Sequence, residues 1–486
     1  MKKFTLFLVT LMAATMVSAK QTIVFKGETL TGNWASNQTL TASLFADLQA
    51  GDVIWVQTDN DEAGASSASQ EWYQLSISIP MDPWTDIVNS YDVRYRKYWS
   101  HTVSADEATN IKANGIICYG HFIKVKAVGY GSAYASTEIQ YWGTSDWTTA
   151  DVNNIVLPSG WGSASMNNAS LSSAHIGDRI TVTFTHEDGI GEWDAQLQIC
   201  LNPNNGDPWQ QLIAVPIGQM TSITLFIDDS NITDITTGDI RLNGNNLTVT
   251  SMVLETTDLY YGLNAANSLV DLAALNGKTV NVSLTRKIDW NTTICLPFDV
   301  ADPYTAFGHE GAFYSLKEYN SGLVFTPANT LEAGKPYYAT FNMTDIAEED
   351  KTMTFNFDNV TINTTLTNSA EVSGLTFKGN YTPGMDMAGK YGVACKDYGE
   401  SADPRWVWGF YKGGTNAKLN AYSAYIEGAV TEARLSIIID DETTGIDATL
   451  VNSEKANSEV FNLQGRKVAQ PTKGLYIMNG KKVIVK

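Results

Sequence analysis

Residues 51–57 read Gly-Asp-Val-Ile-Trp-Val-Gln, and residues 177–183 read Gly-Asp-Arg-Ile-Thr-Val-Thr. In both segments an isoleucine and a valine stand two positions apart after the same Gly-Asp pair. Side chains two apart in a β-strand lie on one face of the sheet, so both segments are predicted to be strands that bury this shared face. The chain therefore contains two versions of one strand, at an offset of about 125 residues.

The same offset relates other positions on either side of this strand. Apolar positions of later strands recur, and so do several tryptophans. The recurring pairs include Ile116 and Ile240, Cys118 and Leu242, Ile123 and Leu247, Trp34 and Trp161, Trp72 and Trp193, and Trp84 and Trp209. A duplicated β module that carries aromatic residues favours repeated binding, because a single catalytic centre does not need two copies.

Apolar and polar residues alternate along most of the 486-residue chain, with frequent turn signals and almost no helical periodicity. The composition, 43% hydrophobic and 17% charged, is typical of a folded soluble protein. The chain is too long for one hydrophobic core. We predict an all-β protein with three consecutive β-sandwich (jelly-roll-like) domains and a small C-terminal β domain.

The repeat and the changes in composition give the domain boundaries. The expected segments are a signal peptide at 1–19, a first sandwich at 20–135, a second at 136–262, a third at 263–441, and a linker with the C-terminal domain at 442–486. The third sandwich shows no clear similarity to the first two. Within the second, Asn243-Gly244 is a hairpin-turn signal.

The N-terminus has the pattern of a secretory signal peptide. Lys2 and Lys3 precede an apolar run from 4 to 17, and the small residues Ser18 and Ala19 follow it. No segment reaches the roughly 20 apolar residues of a membrane-spanning helix. The formal charge of −20 argues against binding to nucleic acid or anionic lipid. The sequence thus predicts a secreted or surface-displayed protein.

Four cysteines are scattered along the chain at Cys118, Cys200, Cys295 and Cys395. Cys118 stands where the second copy has Leu242, so it is expected to be a buried apolar residue. Free structural thiols are the favoured interpretation. A bridge between Cys295 and Cys395 is the one disulfide that deserves testing.

The last segment carries three short motifs: Val-Phe-Asn-Leu-Gln-Gly-Arg-Lys-Val at 460–468, Pro-Thr-Lys-Gly-Leu-Tyr-Ile at 471–477, and the basic end at 481–486. In this order they resemble the C-terminal sorting domain of cargo of the type IX secretion system of Bacteroidetes. The resemblance implies export by the type IX secretion machinery. It implies nothing about a ligand.

The repeated modules also resemble a known kind of domain. Phe-Lys-Gly at 25–27, Gly-Asn-Trp at 32–34 and Gly-Asp-Val-Ile at 51–54 are similar to a β-sandwich unit of secreted polysaccharide-degrading and glycan-binding proteins of the same bacteria. The third sandwich, through residues 290–298 and 375–381, resembles an accessory module. The resemblance implies glycan binding and supplies no catalytic motif.

Exposed tryptophan beside amide, carboxylate and hydroxyl groups is the chemistry expected for sugars, whose C–H faces stack on aromatic rings. Because Ile54 and Val56 face the core, strand alternation points Trp55 outward. The same alternation places Trp72 and Gln74 on the polar face of the next strand. These three residues are candidate sugar contacts.

Trp84 and Trp209 each follow an Asp-Pro pair and are predicted to lie on a loop after that strand, where they could contact a ligand or close the end of the sandwich. Trp99 is a further candidate. Trp34 and Trp161 rank below these, because their recurrence fits a structural plug at least as well as a ligand contact.

Trp99 ends an unusually basic and aromatic run, Arg-Tyr-Arg-Lys-Tyr-Trp at 94–99. One interpretation is an edge strand that its charges protect from pairing with another chain. The alternative is a site in the first module for an acidic or sulfated sugar. The corresponding run of the second module, at 223–227, is apolar.

Catalytic and metal signals are weak. No carboxylate pair stands out by motif or spacing, and no nucleophile elbow or His-x-x-x-His is present. Asp59, Asp61 and Glu62 form an oxygen-rich segment that could hold a structural calcium ion, although an ordinary solvated acidic loop is the favoured interpretation.

The leading functional prediction is non-catalytic binding of a polysaccharide by a secreted or surface-displayed protein, with avidity from two modules. One alternative is a β-sandwich glycoside hydrolase or lyase whose acids the spacing does not reveal. The other is a structural or adhesive surface protein.

Overall fold

The computed structural model describes residues 19–139, 141–143, 154–166, 168–187, 191, 194–201, 210–218, 220–399, 406–440, 460–462, 474–478 and 481–485. The chain divides into two compact units. The first ends at Asp271 and also includes Val280–Ser283, and the second comprises Leu272–Thr279 and the chain from Leu284 onward. The fold is all-β, as predicted, with two sandwiches in the first unit and a third in the second.

The strands of the first unit are β1 (Lys20–Leu30), β2 (Asn33–Leu40), β3 (Val53–Asn60), β4 (Gln74–Ile79), β5 (Thr85–Asp92), β6 (Tyr98–Thr102), β7 (Ile116–His121), β8 (Ile123–Gly131), β9 (Ala135–Glu138), β10 (Tyr141–Gly143), β11 (Ile155–Leu157), β12 (Gly162–Met166), β13 (Arg179–Thr185), β14 (Gln196–Leu201), β15 (Gln210–Pro216), β16 (Ser222–Phe226), β17 (Ile240–Asn245), β18 (Leu247–Thr256), β19 (Asp258–Asn264) and β20 (Leu269–Val270). Its helices are α1 (Glu62–Ser67), α2 (Ala105–Asn114), α3 (Asn168–Leu171) and α4 (Ile232–Thr237), with a 3-10 turn at Ala42–Phe45.

The first sandwich packs two sheets on one core. One sheet includes the run β19-β1-β8-β3-β6, with β20 beside β1, and the other has the order β2-β7-β4-β5. Ile54 and Val56 of the first sheet meet Leu75, Ile77 and Cys118 of the second in this core. The predicted burial of Cys118 is therefore confirmed.

The second sandwich repeats this arrangement strand by strand. Its sheets have the orders β11-β18-β13-β16, with β9 beside β18, and β10-β12-β17-β14-β15. The orders β1-β8-β3-β6 and β2-β7-β4-β5 thus each have a counterpart ten strand numbers later. Ile180 and Val182 hold the core positions that Ile54 and Val56 hold in the first sandwich.

One strand that pairs with β1 of the first sandwich comes from far along the chain. β19, which follows the whole second sandwich, pairs with β1 in parallel, and Lys20 stands opposite Asp258. β1 pairs on its other side with β8, antiparallel, with Gln21 opposite Gly131. The first sheet is therefore complete only when residues from both ends of the unit are present.

The expected hairpin turn at Asn243-Gly244 is wrong, because both residues lie inside β17. Gly244 serves close strand packing instead: a Cβ atom there would stand 2.8 Å from the carbonyl oxygen of Gln196. Gly120, its counterpart in the first sandwich, would meet the carbonyl oxygen of Gln74 in the same way, at 2.0 Å. The turn itself falls at Asn246, whose φ is 54°.

The outer face of β3 and β6 packs against β16 of the second sandwich. The Phe226 ring lies 5.0 Å from Trp55 and 5.2 Å from Tyr98, between ring centroids. Arg179 donates to the Tyr98 hydroxyl at 3.1 Å and forms a two-pronged ion pair with Glu255. Aromatic stacking and a half-buried ion pair thus join the two sandwiches.

The strands of the second unit and those that lead into it are β21 (Thr279–Lys287), β22 (Asn291–Ile294), β23 (Ala312–Tyr319), β24 (Leu323–Pro327), β25 (Tyr337–Thr340), β26 (Thr352–Thr361), β27 (Leu375–Asn380), β28 (Met385–Asp386), β29 (Tyr391–Asp397), β30 (Trp406–Lys412), β31 (Lys418–Leu419), β32 (Ser423–Gly428), β33 (Arg434–Leu435), β34 (Ile437–Ile439), β35 (Val460–Asn462), β36 (Gly474–Met478) and β37 (Lys481–Val485). Its one α-helix among the described residues is α5 (Pro303–Phe307), and 3-10 turns occur at Ala273–Leu275 and Glu348–Lys351.

The third sandwich joins the sheets β22-β25-β23-β24-β34 and β27-β32-β29-β30-β33, and a pair, β28-β31, stands apart. Phe325 and Tyr338 from the first of these sheets pack against Phe377 and Phe410 from the second. The strands β35-β36-β37 form a small antiparallel sheet at the C-terminal end. This sheet is the predicted small C-terminal β domain.

All four cysteines are free thiols, and Cys295 and Cys395 do not form the disulfide that deserved testing. Cys295 is buried in the core of the third sandwich, where burial raises its thiol pKa to about 12. Within the described part of the chain, no helix combines the length and hydrophobicity needed to cross a bilayer.

Candidate functional site

The outer face of the sheet β2-β7-β4-β5 combines polar groups with exposed aromatic rings. Along β4 the side chains of Leu75, Ile77 and Ile79 enter the core, and those between them point outward. We call this surface the aromatic face and define it by Trp34, Trp72, Trp84, Tyr119 and His121.

Hydrogen bonds fix the polar centre of the aromatic face. The Ser78 hydroxyl donates to a carboxylate oxygen of Asp86 and lies 3.0 Å from the Tyr119 hydroxyl. The Asn89 amide donates to the other Asp86 oxygen at 3.2 Å. Asp86 and Asn89 are themselves exposed, so an oriented carboxylate and an oriented amide face the solvent here.

Four rings form a contiguous group at one end of the face. The Trp72 ring is 47% exposed and stacks on His121, with centroids 5.0 Å apart and planes 18° apart. Trp34 is 40% exposed and lies 5.7 Å from Tyr119 and 6.2 Å from His121. His121 is buried beneath them, and its Nδ1, 3.0 Å from the Trp72 carbonyl oxygen, donates to that oxygen. The imidazole thus holds two tryptophans in place.

Trp34 has a backbone conformation that is costly for its side chain. Its φ is 58°, in the left-handed region that bulky residues seldom adopt. Trp161, its counterpart in the second sandwich, has a φ of 70° and is 46% exposed. Of the two interpretations left open for this pair, exposure of both residues favours a ligand contact over a structural plug. Strain of this kind is typical of sites where function, not packing, fixes a side chain.

Trp84 lies at the opposite end of the face, in the loop between β4 and β5 that its Asp-Pro pair predicted. It is 53% exposed. Asp86, two positions later, bonds Ser78 on the outer face, and alternation places Trp84 on the same side. The β4 strand, about 17 Å long, lies between Trp72 and Trp84 along the chain, so aromatic rings flank the polar centre at both ends.

The predicted exposure of Trp55 is wrong. Alternation does point the ring away from the core of the first sandwich, but the second sandwich covers it completely and its exposed fraction is 0%. Its indole N–H donates to the amide oxygen of buried Gln21 at 2.9 Å. A sugar cannot stack on this ring, which belongs to the contact between the sandwiches.

Trp99 is also wrongly placed among the sugar contacts, because it packs in the core of the first sandwich, at the start of β6. Gln74 opens β4 half-buried, beside His121 of the aromatic face. Trp209 lies outside the described residues, as does Trp193. Of the predicted contacts, Trp72, Gln74 and Trp84 thus lie on the aromatic face.

Two carboxylates of the calcium candidate at Asp59, Asp61 and Glu62 have partners within the protein. Asp59 pairs with Lys97 at 2.8 Å, and the Asp61 carboxylate caps α1 by accepting from the Gly64 amide. Glu62 lies in the first turn of that helix. Within the described residues, no group of three or more His, Cys, Asp or Glu could hold a metal. These carboxylates are used to pair a lysine and to start a helix.

Two aspartates have a raised pKa, as a general acid in glycoside hydrolysis requires. Their carboxylates, however, accept backbone hydrogen bonds within turns. Burial raises the pKa of Asp52 and of Asp178, its counterpart in the repeat. Asp52 accepts from the Gln49 amide at 2.8 Å, and Asp178 accepts from the His175 amide at 2.7 Å and the Thr257 amide at 2.9 Å. Each of these carboxylates therefore stabilises the turn that precedes a strand.

The second sandwich has amides where the first has rings. Asn243 and Asn245 of β17 take the positions of Tyr119 and His121, and Gln198 and Gln196 stand opposite them on β14. The amide oxygens of Asn243 and Asn245 are buried and accept no hydrogen bond from the described residues. Together with Trp161, they make this face more polar than the aromatic face.

The sequence interpretation missed Tyr119 and His121 and ranked Trp34 too low. A signal for the first two was present: Cys118 and Gly120 were identified as repeated core positions, so alternation along β7 directs their neighbours outward. No comparable signal existed for Trp34, whose exposure depends on its left-handed backbone.

No protein-family model matches the chain, and no curated protein matches it. Among solved structures, SGBP-B of the Bacteroides ovatus mixed-linkage glucan utilization locus, in complex with a mixed-linkage heptasaccharide, is 17% identical, with a TM-score of 0.19 over 23% of this chain and 30% of that one. BuGH86 in complex with neoagarooctaose is 10% identical, with a TM-score of 0.15 over 38% of this chain and 27% of that one.

The tandem CBM22 domains of Xyn10C from Paenibacillus barcinonensis are 10% identical, with a TM-score of 0.14 over 48% of this chain and 85% of that one. The chain thus spans less than a third of the first two structures. TM-scores this low are too weak for any of the three likenesses to support an inference about this chain.

Proposed function

We propose that the aromatic face of the first sandwich binds a polysaccharide chain without cleaving it. The observation that carries this proposal is the exposure of Trp34, Trp72 and Trp84 on one outer face, with oriented polar groups between them. Exposure of several large aromatic side chains to water is unfavourable, and a patch of them with polar neighbours marks a binding surface.

The chemistry suits a sugar better than an apolar partner. A pyranose offers an apolar C–H face to an indole ring and hydroxyl groups to a carboxylate or an amide. Trp72 and Trp84 would stack on two sugar units of one polysaccharide chain. Between these two units, Asp86 would accept hydrogen bonds from sugar hydroxyl groups and the Asn89 amide would donate to them. A face about 17 Å long accommodates several units of an extended polymer.

The second sandwich would extend the same function. Its strand order is that of the first, and exposed Trp161 would offer a weaker platform. Two platforms on one chain raise avidity on a repeating polymer even when each is weak. We also propose that the two binding modules have the boundaries predicted from the repeat, 20–135 and 136–262.

The proposed location is the cell exterior. It rests on the signal-peptide pattern at the N-terminus, which lies outside the described residues, and on the motifs shared with type IX sorting domains. The small sheet β35-β36-β37 would then be the part that the type IX machinery recognises.

Affinity electrophoresis of the full chain against a panel of neutral polysaccharides tests the proposal, with isothermal titration on the best ligand. The Trp72→Ala/Trp84→Ala variant should lose most of the binding, because both stacking rings are removed. Trp406→Ala is the matched control, since Trp406 is an exposed tryptophan of the second unit.

A reducing-sugar assay on the bound polysaccharide should show no release of product. Absence of binding across the panel would contradict the proposal, and so would equal losses in the double variant and in the control.

A further inference from the structure

A cavity of the first unit lies between a turn of the first sandwich and the edge strands of the second. Its volume is about 750 Å³, within the range of ligand pockets in proteins. Residues 94–97 form one wall, and β15 with β16 forms the other. It does not overlap the aromatic face, and we call it the basic cleft.

Positive charge dominates the basic cleft. Four cationic side chains line it, and the anionic ones are Asp59 and Asp228. Asp59 is paired with Lys97, and Asp228 already accepts hydrogen bonds from Gln57 and Ser230. The four cations are Arg94, Arg96, Lys97 and Lys126, of which Lys97 pairs with Asp59 and Lys126 pairs with Glu28 at 2.8 Å. An excess of cations in one cleft of a chain with a net charge of −20 attracts anions to that place.

Packing holds the arginine-bearing turn in position. Tyr95, between the two arginines, packs against the core of the second sandwich. The Arg96 guanidinium lies 4.8 Å from the centroid of the Tyr91 ring, and the amides of Arg96 and Lys97 donate to the Val93 carbonyl. The guanidinium groups are thus presented on a fixed turn, which lowers the entropy cost of binding.

Neutral polar groups complete the cleft. Gln196, Gln198 and Gln211 of the second sandwich line it, as amides that can donate to or accept from hydroxyl groups. Thr58 also lines it. The Thr58 side chain is 3% exposed, and its hydroxyl has no hydrogen-bond partner among the described residues. A buried hydroxyl without a partner in the protein is unusual, and it is available to a ligand group that enters the cleft.

We propose that the basic cleft binds an acidic saccharide, one that carries carboxylate or sulfate groups. The arginines bind the anionic group in a two-pronged manner, and the three glutamines and Thr58 bind the hydroxyl groups. The choice of a saccharide over another anion rests on the proposed function of the aromatic face. The site itself is separate from that face and uses residues of both sandwiches.

Isothermal titration of the full chain tests the proposal, with oligogalacturonate as the carboxylate probe and chondroitin sulfate oligosaccharides as the sulfate probe. The Arg94→Gln/Arg96→Gln variant should bind the better probe at least about tenfold more weakly. The matched control, Lys112→Gln/Lys418→Gln, removes the same charge from exposed positions elsewhere. It should change the affinity less than about twofold in 0.15 M salt.

Two further binding measurements distinguish this proposal from the proposal that the aromatic face binds a polysaccharide. The Arg94→Gln/Arg96→Gln variant should keep its affinity for a neutral polysaccharide, and Trp72→Ala/Trp84→Ala should keep its affinity for the acidic probe. If no neutral polysaccharide binds but the acidic probe does, the proposed function of the aromatic face is wrong and the proposed site in the basic cleft is still supported.

Several results would overturn the proposal: no binding of either acidic probe, an equal loss in the lysine control, or loss of acidic binding in the tryptophan variant. A poly-glutamate peptide that binds as tightly as the saccharides would overturn the assignment to a sugar. Thermal unfolding curves that coincide with those of the unmodified chain confirm that the variants are folded.

Discussion

The two outer faces of the first sandwich have opposite surroundings. Trp55 on one face and Trp72 on the other both point away from the core, as strand alternation requires. The second sandwich buries Trp55 under Phe226, while Trp72 remains half exposed on His121. Alternation therefore specifies the side of a sheet on which a ring lies, and the neighbouring domain decides whether that ring meets a ligand.

The largest expected effect concerns the covered face. Trp55→Ala removes a fully buried indole that packs on two aromatic rings, so the free energy of unfolding of the first unit should fall by about 3–5 kcal/mol. It also leaves the amide oxygen of buried Gln21 without its donor. Denaturant unfolding followed by tryptophan fluorescence measures the change.

The Phe226→Ala variant tests the same contact from the side of the second sandwich. The double variant with Trp55→Ala should show a coupling energy of about 0.5–1.5 kcal/mol, because the two rings are in direct contact. Strictly additive losses would mean that the sandwiches do not share this contact.

The next effect concerns the exposed face. Trp72→Ala and Trp84→Ala should each weaken polysaccharide binding by about 2 kcal/mol, as for exposed aromatic anchors in interfaces. Each should change the free energy of unfolding by less than about 1 kcal/mol, because the rings are half exposed. Isothermal titration and denaturant unfolding on the same samples measure both quantities. A large stability loss with intact binding would reverse the assignment of the two faces.

Trp34 allows backbone strain to be separated from ring contact. Trp34→Gly and Trp34→Ala both remove the ring, but only glycine adopts a φ of 58° without cost. The glycine variant should therefore be more stable than the alanine variant by about 1 kcal/mol, while both bind sugar equally weakly. Equal stabilities of the two variants would contradict the left-handed backbone at this position.

The smallest expected effect is on the pH dependence of stability, through Asp178 in the turn before β13 of the second sandwich. Burial raises the folded-state pKa of Asp178 above its unfolded value, so the folded state binds the proton more tightly. The stability from this group is present below the unfolded pKa and is lost as pH rises through the folded one. Asp178→Asn should remove that decline from unfolding curves recorded between about pH 3 and 6. An unchanged pH profile would contradict the raised pKa.

Much of the fold could be predicted from the sequence, and the candidate site only in part. Repeated Ile54 and Val56 specified the core face of β3, and the Asp-Pro pair placed Trp84 on its loop. These are local signals, set by alternation and by backbone chemistry.

The errors arose where a residue depends on a distant part of the chain. The cover over Trp55 is formed by Phe226, more than 150 residues away, and no local pattern records how two domains dock. Trp99 appeared to be part of a charged edge strand, but Arg94 to Arg96 form a turn and the strand starts only at Tyr98. That turn is used instead to bring arginines to the second sandwich.

The pairing of β1 with β19 has a consequence for how the chain folds. Lys20 cannot meet Asp258 until the entire second sandwich has been synthesised, so one edge of β1 has no partner during that time. A fragment limited to residues 20–135 would carry the same bare edge and tend to associate through it. Folding of the first sandwich is thus coupled to completion of the second, and the two are expected to acquire their final stability together.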